Sequence, residues 1–162
     1  MAEEIGTNGT TQRVIESVEA LKELLNQEIA VSEYFHVTQE RINQFAEVTE
    51  DRQWIHVDPE RAEASSPFRK TVAHGFLTLS LLPQFLASAV RVRGVRLAIN
   101  YGLNYVRFPA PVRTGSNVRA RFTLKDWKQG AGYVQIAWLV TVECQGLMVP
   151  SCVAEWVVRY YA

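Results

Sequence analysis

The sequence has few of the residues that mark a cross-linked or metal-binding protein. Its 162 residues include two cysteines, Cys144 and Cys152, which are too few for a disulfide framework and lack the spacing of a metal site. We therefore expect buried free thiols in a reducing compartment. The first twelve residues are polar and acidic and lack the apolar core of a secretory signal. We predict a cytoplasmic protein, and the length favours one domain.

Net charge is lacking as well. Seventeen Lys and Arg balance seventeen Asp and Glu, which removes the global electrostatic case for nucleic acid or an anionic membrane as a partner. Residues 71–90 carry no charge, counting histidine as neutral, and twenty residues could span a bilayer. Eight of these positions are polar or break helices: Thr71, His74, Gly75, Thr78, Ser80, Pro83, Gln84 and Ser88. We therefore predict a helix wrapped by a sheet rather than a membrane span.

The N-terminal part predicts a tail followed by a helix. Residues 1–10 are expected to be disordered, and apolar residues at helical spacing predict an amphipathic helix from Gln12 to Gln27. We accordingly divide the chain into a tail and helix at 1–30 and a single domain at 31–162. Within the domain, residues 29–37 predict a short strand, with His36 at its end as an edge or half-buried residue.

Capping residues set the next boundaries. Thr38 is the expected N-cap of a helix to about Thr49. Asp58 with Pro59 predicts the start of a short helix to about Ala64, and the residues between the two helices show neither a helical nor a strand period. Pro83 should break or kink the long uncharged segment.

From residue 95 onward the period is that of strands. Apolar and polar residues alternate in 117–125 and 133–144, as in antiparallel strands with one buried face. Glycine-containing turns at 128–132 and 145–146 separate the strands. We predict a meander of four strands, at about 96–108, 117–125, 133–144 and 147–160. A sheet with one buried face and one uncharged helix predict an α+β fold with the sheet curled around the helix.

Two pairs of residues are candidates for chemistry. Asp51 and His56 could share and polarise a water molecule, or they could form a solvated ion pair on a loop. Gly75 could offer a helix N-terminal N–H to an oxyanion, or it could only permit close packing. His74 is expected to be a buried, hydrogen-bonded residue, and Asp58 is better explained as a helix cap than as an acid.

Together these residues resemble the MaoC-like dehydratases, the (R)-specific enoyl-CoA hydratases of hotdog fold. The family pattern is F-A-x-x-[ST]-x-D-x-[NQ]-[PW]-[IL]-H-x-D followed later by A-H-G-x-[LT]. It stands here as Phe45-Ala46, Thr49, Asp51, Gln53-Trp54-Ile55-His56, Asp58 and Ala73-His74-Gly75-Phe76-Leu77. Residues 100–112 are similar to a strand and turn of the family, and the resemblance covers about 31–160.

The resemblance implies a reaction and its site. Asp51 and His56 would hold the water that adds to the β-carbon of a trans-2-enoyl thioester, with Asp51 as base and His56 delivering or relaying the proton to the α-carbon. Gly75 would donate its N–H to the thioester carbonyl. The residues implied to bind substrate are Gln53, Trp54, His74 and Phe76. A homodimer is implied, with acyl-CoA as substrate, a place in fatty acid metabolism and no metal or redox cofactor.

The chain departs from the family pattern at two places. Glu50 replaces a glycine before Asp51, and would be strained if that position has a positive φ. Arg69-Lys70 replaces a turn that often contains Gly or Pro; by themselves these residues are expected to be solvated or to face a phosphate. Two alternative functions remain: a thioesterase on the same fold, and a non-catalytic protein that binds acyl thioesters.

Overall fold

The computed structural model describes residues 3–5 and 11–162, the side chains from Gln12 onward. In chain order its elements are β1 (Glu3–Ile5), β2 (Thr11–Ile15), a 3-10 helix (Glu19–Leu24), β3 (Glu28–Val31), β4 (Phe35–His36), α1 (Gln39–Thr49), α2 (Trp54–Val57), α3 (Pro59–Ser65), α4 (Gly75–Ser80), α5 (Leu82–Ala89), β5 (Val90–Val92), β6 (Leu97–Arg107), β7 (Asn117–Gln129), β8 (Val134–Cys144) and β9 (Cys152–Tyr161). In the described part of the chain, no helix combines the length and hydropathy needed to cross a membrane.

The main sheet is antiparallel and wraps around α5, as predicted. Its strand order is β3-β7-β8-β9-β6, with β4 also paired to β7. The predicted inward positions of β7 and β8 are buried, and Phe85 of α5 lies in the same core. The rings of Phe122 and Trp138 meet edge to face at 6.2 Å. Burying such side chains contributes about 1.5–3 kcal/mol each, which makes this the main source of stability.

The predicted four-strand meander is wrong in its first strand. β7, β8 and β9 do follow one another, but β6 pairs with β9 rather than with β7. The connection after β6 crosses the end of the sheet instead of forming a hairpin. It is held there by backbone bonds from the Ala73 N–H to the Val112 carbonyl at 2.7 Å and from the Thr114 N–H to the Thr71 carbonyl at 2.9 Å. Because β6 ends the sheet, one of its edges pairs with no described strand.

The predicted N-terminal helix from Gln12 to Gln27 is also wrong. The segment forms β2 and a 3-10 helix instead, because its β-branched start pairs in parallel with β5. Val14, Ile15, Val18 and Leu21 are buried, so their helical spacing reflects contact with the core through two different local structures. β1 pairs with β2, so the expected disorder is wrong for residues 3–5. Residues 1–2 and 6–10 of that predicted tail lie outside the described residues.

The predicted caps are confirmed. The Thr38 side chain accepts the Arg41 N–H at 3.3 Å, and Asp58 accepts the Arg61 N–H at 3.0 Å. α4 ends at Ser80 and α5 begins at Leu82, so the predicted break falls just before Pro83.

Two local predictions need correction. The strand predicted at 29–37 is divided between β3 and β4, and the single turn α2 was not predicted because four residues are too few to display a period. Cys144 and Cys152 are buried and free, as predicted.

Candidate active site

Asp51 lies on a sharp turn at the end of α1. Glu50, directly before it, has φ 58° and ψ 12°, which is the left-handed conformation. The Arg52 side chain pairs with Glu47 of α1 at 2.8 Å, and the Arg52 N–H donates to the Glu50 carbonyl at 3.1 Å. The position where the family has glycine therefore does need a positive φ. The turn leaves the Asp51 side chain 55% exposed, so its carboxylate is open to a ligand.

His56 is buried and held in one orientation. The side chain is 7% exposed, and Nδ1 lies 2.6 Å from the carbonyl oxygen of Val72. Since a carbonyl can only accept, Nδ1 carries the proton, and in the neutral ring Nε2 keeps its lone pair. Burial lowers the pKa of His56; the Val72 hydrogen bond raises it, His74 lowers it and Asp51 raises it. His56 is thus a neutral proton acceptor at physiological pH, and the pair is not a solvated surface ion pair.

Gln39 and Thr71 support His56 through its backbone carbonyl, and neither was predicted from the sequence as a site residue. The Gln39 amide donates to the His56 carbonyl at 2.7 Å and its oxygen accepts the Thr71 hydroxyl. The Val72 N–H donates to the Ile55 carbonyl at 3.0 Å. These contacts join residues 17 to 32 positions apart in sequence, and two of the three have a backbone carbonyl as acceptor. No sequence pattern signalled them.

Gly75 is the first residue of α4, and both interpretations of it have support. The His74 carbonyl accepts the N–H groups of Leu77 at 3.0 Å and Thr78 at 3.2 Å. The Gly75 N–H precedes this first turn and donates to no acceptor among the described residues. A Cβ at Gly75 would lie 2.9 Å from Phe108 Cγ, closer than carbon atoms pack. The glycine therefore permits close packing and also presents a free N–H.

Asp51, His56 and His74 converge. One ligand-capable atom of each lies within 4.8 Å of the others, a spacing at which one water molecule can bond to two of them. The rings of His56 and His74 stack with centroids 3.7 Å apart and planes at 24°.

That stacking bears on metal binding. An imidazole nitrogen binds a metal ion that lies in the plane of its ring. Because the planes of His56 and His74 are nearly parallel and stacked, they do not meet within the cluster, and one ion there could not lie in both. The geometry fits a bound water better than a shared ion.

The remaining predicted site residues occupy varied positions. The carbonyl of Gln53 accepts the His56 N–H at 2.9 Å, and the Trp54 ring lies under the Arg61 guanidinium at 4.5 Å. Phe76 is 68% exposed beside Gly75. Their contact with substrate stays a prediction. Arg69 has φ 58°, so the second departure from the family pattern also falls at a left-handed residue.

Two cavities lie along α4 and α5, away from the three converging side chains. One of about 310 Å³ is lined by Leu79 and Ser80, and one of about 710 Å³ reaches Val90. Both are lined by Pro83, Asn100 and Trp156, so they adjoin. Leu79 is four residues beyond Gly75, a rise of about 6 Å along the helix. Neither cavity is lined by Asp51, His56, His74 or Gly75, so both lie farther along the helices than the site of chemistry.

Comparison with known proteins gives a consistent family. The model of the MaoC like domain matches residues 21–143. The 3-hydroxyacyl-thioester dehydratase Z of Mycobacterium tuberculosis is 52% identical over 151 residues, covering 93% of this chain and 99% of that protein. Nodulation protein N of Rhizobium leguminosarum bv. viciae is 45% identical over 135 residues, covering 82% and 84%.

A solved structure shows the same fold. The (R)-hydratase from A. caviae involved in PHA biosynthesis superposes with a TM-score of 0.66 at 22% identity, covering 83% of this chain and 94% of that one. The predicted hotdog fold is thereby confirmed.

Proposed function

This chain belongs to the MaoC-like domain family, and we propose that it is a hydro-lyase that adds water reversibly to a trans-2-enoyl thioester to give the (R)-3-hydroxyacyl thioester. The observation that carries the proposal is the convergence of Asp51 and His56 with His74, the residue directly before Gly75 and its free N–H. The similarity to a 3-hydroxyacyl-thioester dehydratase along nearly the whole chain supports the same reaction class. Coenzyme A is the proposed carrier of the acyl group.

The proton chemistry follows from the state of His56. Nδ1–H donates to the Val72 carbonyl, so Nε2 can accept a proton from the water that Asp51 holds. The water oxygen forms a bond to the β-carbon, the π electrons move toward the thioester carbonyl, and the imidazolium then returns a proton to the α-carbon. Asp51 orients the water and stabilises the transient imidazolium. This gives His56 the larger share of proton transfer.

Gly75 supplies the electrostatic half of the reaction. As the π electrons move, negative charge develops on the thioester oxygen in an enolate-like transition state. A preorganised backbone N–H aimed at that oxygen stabilises the charge without reorganisation. The exposed Phe76 ring and Trp54 are proposed to contact the substrate on either side, as Gln53 would from the loop.

The adjoining cavities are proposed to hold the acyl chain. Each cavity has a volume in the range of small-molecule pockets, and Leu82, Leu86 and Val90 make much of the wall apolar. Trp156 and Pro83 lie where the two cavities meet, which is the position to control how far a chain extends.

A homodimer is proposed through β6. Large apolar side chains along this terminal strand are exposed, namely Leu97, Ile99, Tyr101, Leu103 and Tyr105. A long exposed apolar edge strand favours pairing with another chain. Sedimentation or light scattering that found only monomers would contradict the dimer.

The alternatives differ in their products. A thioesterase would release free coenzyme A, and a binding protein would form no product. Incubation with trans-2-enoyl-CoA of graded chain length, with chiral analysis of the 3-hydroxyacyl-CoA, separates them. An (S) product, or coenzyme A release without hydration, would contradict the proposal.

Variants of the proposed pair test the site. Asp51→Asn and His56→Ala should each lower kcat by about a hundredfold or more, the scale of a general acid–base group. Thermal unfolding checks that both variants fold, and normal turnover in both would refute their roles.

A further inference from the structure

One residue, His74, links all three groups of the proposed site. Its Nε2–H donates to the backbone carbonyl of Asp51 at 2.9 Å, and Nε2 lies 3.9 Å from the Asp51 carboxylate. Its ring stacks on His56 at 3.7 Å. Its own carbonyl accepts the N–H groups of Leu77 and Thr78, and so starts the helix at Gly75.

We propose that His74 is the positioning residue of this site: it fixes the Asp51 peptide and the plane of the His56 ring while its backbone starts α4. The carboxylate that orients the water, the imidazole that carries the proton and the N–H that stabilises the oxyanion then keep one geometry. This inference rests on the proposed function and replaces the expectation that His74 contacts substrate. The residues it joins come from three segments, the turn after α1, α2 and the start of α4.

Burial argues against a substrate contact. His74 is 3% exposed, and the Phe45 ring covers it at 5.0 Å. Nδ1 is buried and has no hydrogen-bond partner among the described residues. An unpaired buried nitrogen destabilises the fold, and an apolar side chain in this place would avoid that penalty. The presence of an imidazole here is therefore explained by the hydrogen bond from its Nε2–H to the Asp51 carbonyl.

The Asp51 peptide needs such a contact. It follows a left-handed Glu50 in an exposed turn, and the other described bonds of that turn are local, from Arg52 to Glu47 and Glu50. The bond from His74 spans 23 residues. It is the bond that ties the turn to the segment carrying Gly75.

Two amides of different reach test the role. In His74→Gln the side-chain amide can place an N–H near the position of Nε2, whereas in His74→Asn it falls short. We expect kcat for hydration within about fivefold of wild type in the Gln variant and at least twentyfold below it in the Asn variant, with KM changed by less than threefold in both. His36→Gln is the matched control, since His36 is an exposed histidine bonded to Asn117 and its loss should leave both constants unchanged.

A second readout does not depend on activity. The chain has three histidines, so the NMR titration of His56 can be followed and its signals assigned with His36→Gln. Of the two side chains that converge on His56, His74 lowers its pKa and Asp51 raises it. His74→Gln removes the first influence, so the pKa of His56 should rise, while His36→Gln leaves it unchanged.

The outcomes are distinct. A wild-type kcat in His74→Asn would overturn the positioning role. If KM is raised at the same time, the result would instead favour a contact between His74 and the substrate. If His74→Asn does not fold, the His56 titration in His74→Gln decides, and an unchanged pKa overturns the proposal. If the wild-type protein hydrates no enoyl thioester, the proposed function fails, and the titration still tests the link between the two rings.

Discussion

Replacing Gly75 tests the oxyanion role, provided that the backbone N–H is separated from packing against Phe108. An alanine here keeps the N–H but places Cβ 2.9 Å from Phe108 Cγ and Cδ2, against about 3.5–4.0 Å for an ordinary carbon contact. The Phe108 ring is 38% exposed and can shift toward solvent. We expect Gly75→Ala to destabilise the fold by about 1–3 kcal/mol, the usual effect of overpacking.

Removing the Phe108 ring should relieve that clash. In a Phe108→Ala background, Gly75→Ala tests the added methyl group alone, and Gly75→Pro also removes the N–H. Proline is tolerated at the first position of a helix, and ψ 137° at His74 is a conformation that a following proline permits. The two double variants therefore differ in the N–H donor and in the proline ring atoms that take its place.

The predicted difference is large enough to measure by steady-state hydration of a trans-2-enoyl-CoA. Losing one preorganised oxyanion donor lowers kcat by about 10²–10³-fold. Gly75→Pro with Phe108→Ala should therefore turn over about a hundredfold or more slower than Gly75→Ala with Phe108→Ala, with similar thermal unfolding. Equal kcat values within about threefold would refute the oxyanion role and leave packing as the reason for glycine.

Three further predictions concern stability, pH and chain length. Glu50→Gly should raise the free energy of unfolding by up to about 1 kcal/mol, because glycine relieves the left-handed conformation but also increases the entropy of the unfolded chain. Activity should be equal or higher, and a large loss would show an unrecognised role for Glu50. Asn26→Gly, at another left-handed position with φ 61°, is the control. Burial lowers the pKa of His56 below its ordinary 6.5, so on acidification the unfolded state takes up a proton at this residue before the folded state does. The contribution of His56 to the free energy of unfolding is therefore full above about pH 6.5 and is lost as pH falls through the lowered value. In urea titrations the free energy of unfolding of His56→Gln should fall less steeply with decreasing pH than that of wild type, and an unchanged slope would contradict this. Trp156→Leu should raise kcat/KM for long-chain relative to short-chain enoyl-CoA by about tenfold, and an unchanged ratio would place the acyl chain elsewhere.

Much of the local structure could be predicted from the sequence because the signals are local. Alternation in β7 and β8 identified the buried face correctly. Thr38 and Asp58 marked helix starts by cap chemistry, and Pro83 marked the break between α4 and α5. The family pattern contains Asp51, His56 and His74, which the fold brings together.

The tertiary structure decided what depends on partners distant in the chain. A strand does not encode its neighbour, so the pairing of β6 with β9 and of β2 with β5 could not be predicted from the period of either. The proton position on His56 is set by the carbonyl of Val72, a backbone atom that any residue would supply. The stacking of His56 on His74 likewise exists only once α2 and the start of α4 are packed side by side, which is why the sequence alone named the candidate residues but not the positioning role proposed for His74.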